Sequence, residues 1–192
     1  MTDYGNFDDP YCHKGSAVLL NTRGISAALE LEEFEVAMFA LRALQPLPAG
    51  HFDPAHYRAI HHHLFQDVYD WAGQYRTIRI AKNDSMFCFP EHIAGQMDIL
   101  FARLQGASLA PGADPKDFAA AAASVLADLN AIHPFREGNG RTQLTFLFLL
   151  GARTGCALDM TRIRPQAMLA AMIASFDGTL GPLEDEIARL VV

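Results

Sequence analysis

Apolar side chains recur in alternating steps of four and three residues along one segment of this chain. The set is Phe118, Ala122, Val125, Leu129 and Ile132. This spacing puts every member on one face of an α-helix, so it predicts a long helix buried along a single stripe. Pro134 disfavours helical geometry at the residue before it, and the helix is therefore predicted to end at His133.

Helical spacing also appears in other segments of the chain. A first helix from Leu31 to Leu41 is stopped by Pro46, and a second follows the capping pair Asp53-Pro54. Further helices are predicted from Pro90, from about Asn139 to Ala152, around Met168, and from Leu183 to Leu190. The helix from Asn139 is apolar almost all round, which predicts a central position.

One segment, residues 75–89, has a different pattern. Arg76 to Ile80 alternates like a strand, Lys82 to Ser85 is typical of a turn, and Met86 to Phe89 is a second short apolar run. This order predicts a β-hairpin inserted between helices. With 192 residues, the chain is predicted to form a single domain over residues 1–192, mainly α with one hairpin.

Charge and cysteine content exclude several classes of protein. A net charge of -7 argues against a nucleic-acid binder, because phosphate backbones attract clustered Lys and Arg. Cys12, Cys88 and Cys156 are too few and too widely spaced for a disulfide framework or a zinc site. No uninterrupted apolar stretch, such as Phe146 to Leu150, is long enough to cross a bilayer. We therefore expect a cytoplasmic protein with no membrane or nucleic-acid partner.

Residues 133–141, between two of the predicted helices, read His-Pro-Phe-Arg-Glu-Gly-Asn-Gly-Arg. Gly138 and Gly140 allow the backbone to turn sharply and to present its N–H groups to an anion. The helix that begins at Asn139 adds the positive end of its dipole at the same place. The pattern predicts a phosphate-binding loop.

Three ionisable side chains of the same loop suit catalysis on a nucleotide. Arg141 opposes the helix dipole but is well placed to clamp an oligophosphate. Glu137 cannot bind phosphate directly, since two anions repel, and is predicted to hold Mg²⁺ that bridges phosphate oxygens. His133 is a histidine, the residue type that can change protonation near neutral pH, and so could accept a proton from an incoming hydroxyl. The chain is therefore predicted to be an enzyme that acts with a nucleotide.

A purely structural interpretation exists for each residue alone. His133 can end a helix, Glu137 can be a surface carboxylate, and Gly-Asn-Gly can be an ordinary turn. No packing requirement, however, brings an acid, an anion cradle and a base into one short loop. The combination favours the catalytic interpretation.

The string 133–141 resembles the signature of the Fic family, whose usual activity is AMPylation, the transfer of AMP from ATP to a protein hydroxyl. Ile60 to Phe65, followed by Tyr69 to Gly73, resembles the helix and turn that precede the hairpin of this family, called the flap. Ile78 to Phe89 resembles the flap itself. The likeness covers roughly Leu29 to Ile173 and implies a Fic-type helical bundle.

The resemblance also implies roles for individual residues. His133 would be the general base, Glu137 the Mg²⁺ ligand, and Phe135 a core anchor for the loop. The residues implied to bind the phosphates of ATP are Gly138, Asn139, Gly140 and Arg141.

The flap is implied to dock the target protein through main-chain hydrogen bonds beside a strand. Its docking residues would be Ile78, Arg79, Ile80, Ala81 and Lys82. The acceptor would be the hydroxyl of a Tyr, Ser or Thr, and toxin members of the family suggest a type II topoisomerase subunit as the target.

One departure from the family pattern leaves alternatives open. Many members carry a second arginine three places after the first, where this chain has Leu144. Transfer of UMP, phosphocholine or a phosphoryl group therefore remains an alternative, although the string from Gly138 to Gly140 disfavours the kinase-like branch. A non-catalytic protein-binding module would be expected to lack His133 or Glu137, and both are present.

The resemblance further suggests control by an inhibitory helix. In the family this helix carries Ser or Thr, three further residues, Glu, and then Gly or Asn. Ser26 to Glu30 fits the first part of this motif, but Leu31 stands in place of the final Gly or Asn. Ser26 is otherwise interpreted as a helix N-cap. A separate small antitoxin protein would then supply the helix, as in bacterial toxin–antitoxin pairs.

Three consecutive histidines, His61 to His63, lie in the second predicted helix. Consecutive helical side chains point in different directions, so the three cannot chelate one metal ion. We expect them to be solvated or half-buried helix residues.

Overall fold

The computed structural model describes residues 9–82, 85–104 and 109–192, which are mainly helical. The helices of these residues are α1 (Ala28–Ala43), α2 (Pro54–Phe65), α3 (Pro90–Arg103), α4 (Pro115–Ile132), α5 (Asn139–Thr154), α6 (Pro165–Phe176) and α7 (Gly181–Leu190). Each predicted helix is thus confirmed. No helix in the described ranges is long and apolar enough to cross a membrane.

The chain forms two compact units. The first unit comprises Met1–Ile93 and Pro134–Thr142, and the second comprises Ala94–His133 and Gln143–Val192. The string 133–141 contributes His133 to the second unit and its other eight residues to the first. The single domain over residues 1–192 stays a prediction.

In the first unit, α1 packs against α2, and the two helices begin differently. Asp53 caps α2, because its carboxylate accepts a hydrogen bond from the His56 N–H at 2.7 Å, as predicted. The N-cap of α1 is Ala27, and no side chain caps the helix. The interpretation of Ser26 as the N-cap is therefore wrong.

The hairpin region contains two short strands, β1 (Ala81–Lys82) and β2 (Ser85–Met86), paired antiparallel. Residues 83 and 84, the centre of the predicted turn, lie outside the described residues. The strand predicted over Arg76 to Ile80 is wrong. Its backbone carbonyls are partly taken by a side chain, since the Arg76 guanidinium donates to Ile78 O at 2.6 Å. A flap over the whole of 75–89 stays a prediction.

The second unit is built on α4, which packs against α6 and α7. The stripe predicted on α4 is buried throughout, as the spacing requires. The central position of α5 stays a prediction: Phe146, Leu147 and Leu150 are buried, but Phe148 is 41% exposed, so the helix is not covered on every side. An apolar composition does not bury a helix that turns one face to solvent.

Candidate active site

The loop that precedes α5 is anchored in the first unit by Phe135. This side chain is fully buried, as the resemblance implied, and its ring stacks on Tyr57 with centroids 5.7 Å apart. The ring of His61 lies 3.8 Å from it on a nearly parallel plane. These aromatic contacts hold the loop in place through its buried side, and they do not depend on a ligand.

Asn139 closes the loop from the other end through its side-chain amide. Its Oδ1 accepts from the Phe135 N–H at 3.0 Å, and its Nδ2 donates to Phe135 O at 2.8 Å. Because Asn139 is 2% exposed, this amide serves the loop itself. A contribution of Asn139 to phosphate binding would therefore come from its backbone N–H in the first turn of α5.

The two glycines of the string have different surroundings. Gly138 has a φ of +78°, and a Cβ there would lie 2.5 Å from the Phe65 ring, so only glycine fits. Gly140 is exposed, and a Cβ there would meet no protein atom within 4 Å. The fold does not require a glycine at position 140, which is consistent with close approach of a ligand to the backbone.

Arg136 fastens the loop to the N-terminal segment of the chain. Its guanidinium nitrogens lie 2.7 and 2.8 Å from Asp9 Oδ2. Both side chains are nearly fully buried, so each charge depends on the other. Arg136 is therefore a structural member of the string, and its partner lies too far away in sequence for spacing to reveal it.

His61 is a site residue that the sequence did not reveal. It is fully buried, so its assignment as solvated or half-buried is wrong, whereas His62 is exposed and His63 half-buried as expected. His61 Nδ1 accepts from the Gly73 N–H at 2.8 Å, which leaves Nε2–H to donate to Glu137 O at 3.0 Å. Burial lowers the pKa of His61 to about 3, so the ring is neutral at physiological pH.

Glu137 and Arg141 lie together at the exposed edge of this loop. Glu137 Oε1 accepts from the Gly138 N–H at 2.9 Å and lies 3.7 Å from Arg141 Nη2. Both side chains are more than a quarter exposed. The first unit therefore brings the predicted metal ligand and the predicted phosphate clamp to one place.

Arg141 has further partners on other elements of the first unit. Its Nη2 lies 2.5 Å from Glu35 Oε1, and its guanidinium lies 4.7 Å from the centre of the Phe65 ring. Tyr69 donates its hydroxyl hydrogen to the other oxygen of Glu35. Glu35 and Tyr69 were not found from the sequence, since no spacing links them to the loop.

A cavity of about 310 Å³ opens beside these groups in the first unit. Apolar side chains from residues 17–19 and the start of α1 line one part of it, and the carboxylates of Glu32, Glu35 and Glu137 line another. It offers room for a ligand group next to Glu137.

In the second unit, His133 ends α4 in a strained conformation. Its φ of 48° is left-handed, and its N–H donates to Leu129 O at 2.9 Å. His133 Nδ1 lies 3.3 Å from Asn130 O, which orients the ring. Non-glycine residues in this conformation are uncommon and cluster at functional sites.

The predicted flap residues fall into two groups. Ile80 is buried and Ile78 is half-buried, while Arg79 and Ala81 are exposed. The guanidinium of Arg79 lies 4.1 Å from the centre of the Phe89 ring. The side chain of Lys82 lies outside the described residues.

The side chains present fit a magnesium ion that arrives with a nucleotide. Within the described ranges, no three His, Cys, Asp or Glu side chains are grouped to hold a metal ion. Mg²⁺ in nucleotide enzymes, however, is commonly held by one or two carboxylates plus phosphates and water. The partly exposed Glu137 carboxylate meets that requirement.

Comparison with known proteins agrees with the geometry. Residues 51–150 match the Fic/DOC family. A probable protein adenylyltransferase of Sinorhizobium fredii is 48% identical over the full length of both chains. An effector domain of Bartonella quintana with bound ADP has a TM-score of 0.86 at 31% identity, covering 97% of this chain and 96% of that one. The BepC protein of Bartonella tribocorum with bound AMPPNP has a TM-score of 0.85 at 27% identity, covering 97% and 98%.

Proposed function

Because this chain belongs to the Fic/DOC family, we infer that it is a protein adenylyltransferase, which transfers AMP from ATP to a hydroxyl group of a target protein. One observation carries the inference. The side chains of Phe135, Arg136 and Asn139 are buried, whereas Gly140 is exposed at the N-terminus of α5, where phosphate groups can approach. The nucleotide-bound relatives support the same interpretation.

The proposed reaction is a displacement at the α-phosphorus of ATP. The target hydroxyl oxygen forms a bond to that phosphorus, the bond to the β-phosphate breaks, and pyrophosphate leaves. His133 accepts the hydroxyl proton, while Arg141 and the N–H groups of Asn139 and Gly140 stabilise the phosphate charge. In this reaction the residues position the reactants and neutralise charge, and no covalent intermediate with the enzyme is needed.

We propose that Glu137 holds Mg²⁺ in this reaction. The ion would neutralise charge on the phosphate oxygens that develops during transfer. Support comes from the position of this carboxylate, which is partly exposed and lies beside Arg141 and close to the N-terminus of α5. The hydrogen bond from the Gly138 N–H orients that carboxylate without help from a ligand.

The test uses ATP radiolabelled at the α-phosphate, Mg²⁺ and a bacterial lysate. Three purified proteins are compared: the wild type, His133→Ala, and the matched control His62→Ala at an exposed histidine. We expect labelled protein bands with the wild type and with His62→Ala, and none with His133→Ala. The labelled band would identify the target.

Two results would overturn the proposal. Label that persists with His133→Ala would remove His133 from the reaction. If α-labelled ATP gives no band while ATP labelled at the γ-phosphate or UTP labelled at the α-phosphate does, a different group is transferred, and the alternatives that the Leu144 substitution leaves open are favoured.

A toxin role in the bacterial cytoplasm, where ATP and soluble targets are available, is part of the proposal. The flap residues Ile78 to Lys82 would dock the target, and an antitoxin protein would supply the inhibitory helix. Glu30, in the imperfect inhibitory motif of this chain, is exposed, which supports an external inhibitor. Expression of the wild type should arrest growth of a bacterial host, and His133→Ala should not. Purified type II topoisomerase subunits are the first acceptors to assay.

A further inference from the structure

Arg141, the proposed phosphate clamp, is held on two sides by groups of the first unit. One side of the guanidinium faces aromatic rings, with its carbon 4.7 Å from the centre of Phe65 and 5.4 Å from that of Phe39. The Nη2 atom forms an ion pair with Glu35 Oε1 at 2.5 Å. An arginine side chain has many rotamers, and these contacts select one of them.

Glu35 is itself fixed by a second buried group. The hydroxyl of Tyr69 donates to Glu35 Oε2, and Tyr69 is only 2% exposed. The side chain of Glu35 is 12% exposed, compared with 28% for that of Arg141. Burial and the neighbouring Glu35 carboxylate both raise the pKa of Tyr69, so its hydroxyl remains a hydrogen-bond donor.

We propose that Glu35 is a positioning residue that holds Arg141 in place to bind the outer phosphates of the nucleotide, with Tyr69 locking Glu35. The proposal rests on the proposed function, in which Arg141 binds those phosphates. A competing role, in which Glu35 blocks the phosphates, would require the carboxylate to leave Arg141 when the nucleotide arrives. Its burial and its bond to Tyr69 oppose that movement, because a displaced carboxylate would leave the Tyr69 hydroxyl without this acceptor.

The test measures nucleotide affinity by calorimetry for the wild type, Glu35→Gln, Tyr69→Phe and the control Glu33→Gln. Glu33 is exposed on the same helix and receives the same substitution. We expect Glu35→Gln to weaken ATP binding about tenfold, which corresponds to 1.4 kcal/mol, and to leave AMP binding within twofold. Tyr69→Phe should show the same pattern with a smaller loss. Glu33→Gln should bind as the wild type does.

A double-mutant cycle with Arg141→Ala distinguishes positioning from a general structural role. If Glu35 acts through Arg141, adding Glu35→Gln to Arg141→Ala should cause no further loss of ATP affinity. In steady-state transfer assays, Glu35→Gln should raise the KM for ATP more than it lowers kcat. Thermal unfolding of each variant checks that it is folded.

Several outcomes would overturn the proposal. ATP affinity that is unchanged in Glu35→Gln, or weakened equally for AMP, would exclude positioning. Tighter ATP binding would make Glu35 a competitor of the phosphates. Failure of the proposed function looks different, because wild-type protein would then transfer no AMP even though the binding cycle still reports on Glu35 and Arg141.

Discussion

Gly138 and Gly140 are two residues apart in the sequence, but a side chain fits at position 140 and does not fit at position 138. We predict that Gly138→Ala lowers the free energy of unfolding by roughly 2–4 kcal/mol, the sum of a left-handed backbone penalty and a clash with the Phe65 ring. Gly140→Ala should leave that free energy unchanged or raise it by up to about 1 kcal/mol, since its Cβ enters open space in a helix. Urea denaturation measures both.

The two variants also separate folding from nucleotide binding. Gly140→Ala should fold normally and bind ATP about tenfold more weakly or worse, because its methyl group would occupy space that the phosphates need. Normal ATP affinity in a well-folded Gly140→Ala protein would show that no ligand approaches the backbone at this position.

A second prediction concerns His61 and pH. Its pKa is lowered to about 3 in the folded protein, mainly by burial, whereas an unfolded histidine titrates near 6.5. The unfolded state therefore binds the proton more readily, and stability is fully present above pH 6.5 and is lost as pH falls towards 3. Between pH 7.5 and pH 5, this group should cost the wild type about 2 kcal/mol of unfolding free energy.

The measurement compares denaturation at both pH values for the wild type, His61→Gln and His62→Gln. A glutamine does not titrate, so His61→Gln should lose about 2 kcal/mol less than the wild type over this range, even if it is less stable at both pH values. His62 is exposed, so His62→Gln should lose nearly as much unfolding free energy between pH 7.5 and pH 5 as the wild type does. An equal loss of unfolding free energy between the two pH values in all three proteins would contradict a buried neutral His61.

At the scale of the secondary-structure elements, the starts of α1 and α2 give a third prediction. Asp53→Ala should lower the free energy of unfolding by about 1 kcal/mol, because Asp53 caps α2. Ser26→Ala should change it by less than about 0.5 kcal/mol, because Ser26 does not cap α1. Chemical denaturation of the two alanine variants provides the test, and a loss of about 1 kcal/mol in Ser26→Ala would restore Ser26 as a cap.

The helices were predictable because their signals are local. The periodicity of apolar residues marks the helices themselves, and the prolines at positions 54, 90 and 165 are the residues at which α2, α3 and α6 begin. The strand predicted over Arg76 to Ile80 was wrong, although buried and exposed residues do alternate there. The alternation reflects packing against the rest of the protein, and these residues do not pair with a neighbouring strand. Arg76, buried at 2%, donates to Ile78 and Cys88 carbonyls that a strand would have used for pairing.

The candidate site was predictable only for residues that are contiguous in the sequence. The string 133–141 carries its own pattern, but Asp9, Glu35 and His61 contact it across 127, 106 and 76 positions. No spacing rule connects such distant residues. The burial of His61 was also not predicted, because histidine is only intermediate in its tendency to be buried, and here two backbone groups satisfy both of its ring nitrogens.

At the scale of the whole molecule, nucleotide binding should appear as added stability. A ligand that binds only the folded protein stabilises it by about 2.7 kcal/mol at one hundred times its Kd. We predict that ATP with Mg²⁺ raises the Tm of the wild type, and that EDTA removes most of this rise. Differential scanning calorimetry with and without the chelator measures the effect.

Glu137→Gln is the matched variant for this measurement. It keeps the shape of the side chain and removes the charge, so ATP should stabilise it equally with and without Mg²⁺. A rise in Tm that still depends on Mg²⁺ in Glu137→Gln would assign the ion to another ligand.

The inward-facing side chains of the loop also bear on how such an enzyme changes its donor during evolution. Phe135, Arg136 and Asn139 are committed to building the loop, so only its exposed part is left for the proposed binding of phosphate groups, which ATP, GTP and UTP share. Base preference must then be encoded by other residues of the chain. Selection can alter which nucleotide is consumed while the string 133–141 stays unchanged, and an identical string in two proteins is therefore no guarantee of an identical donor.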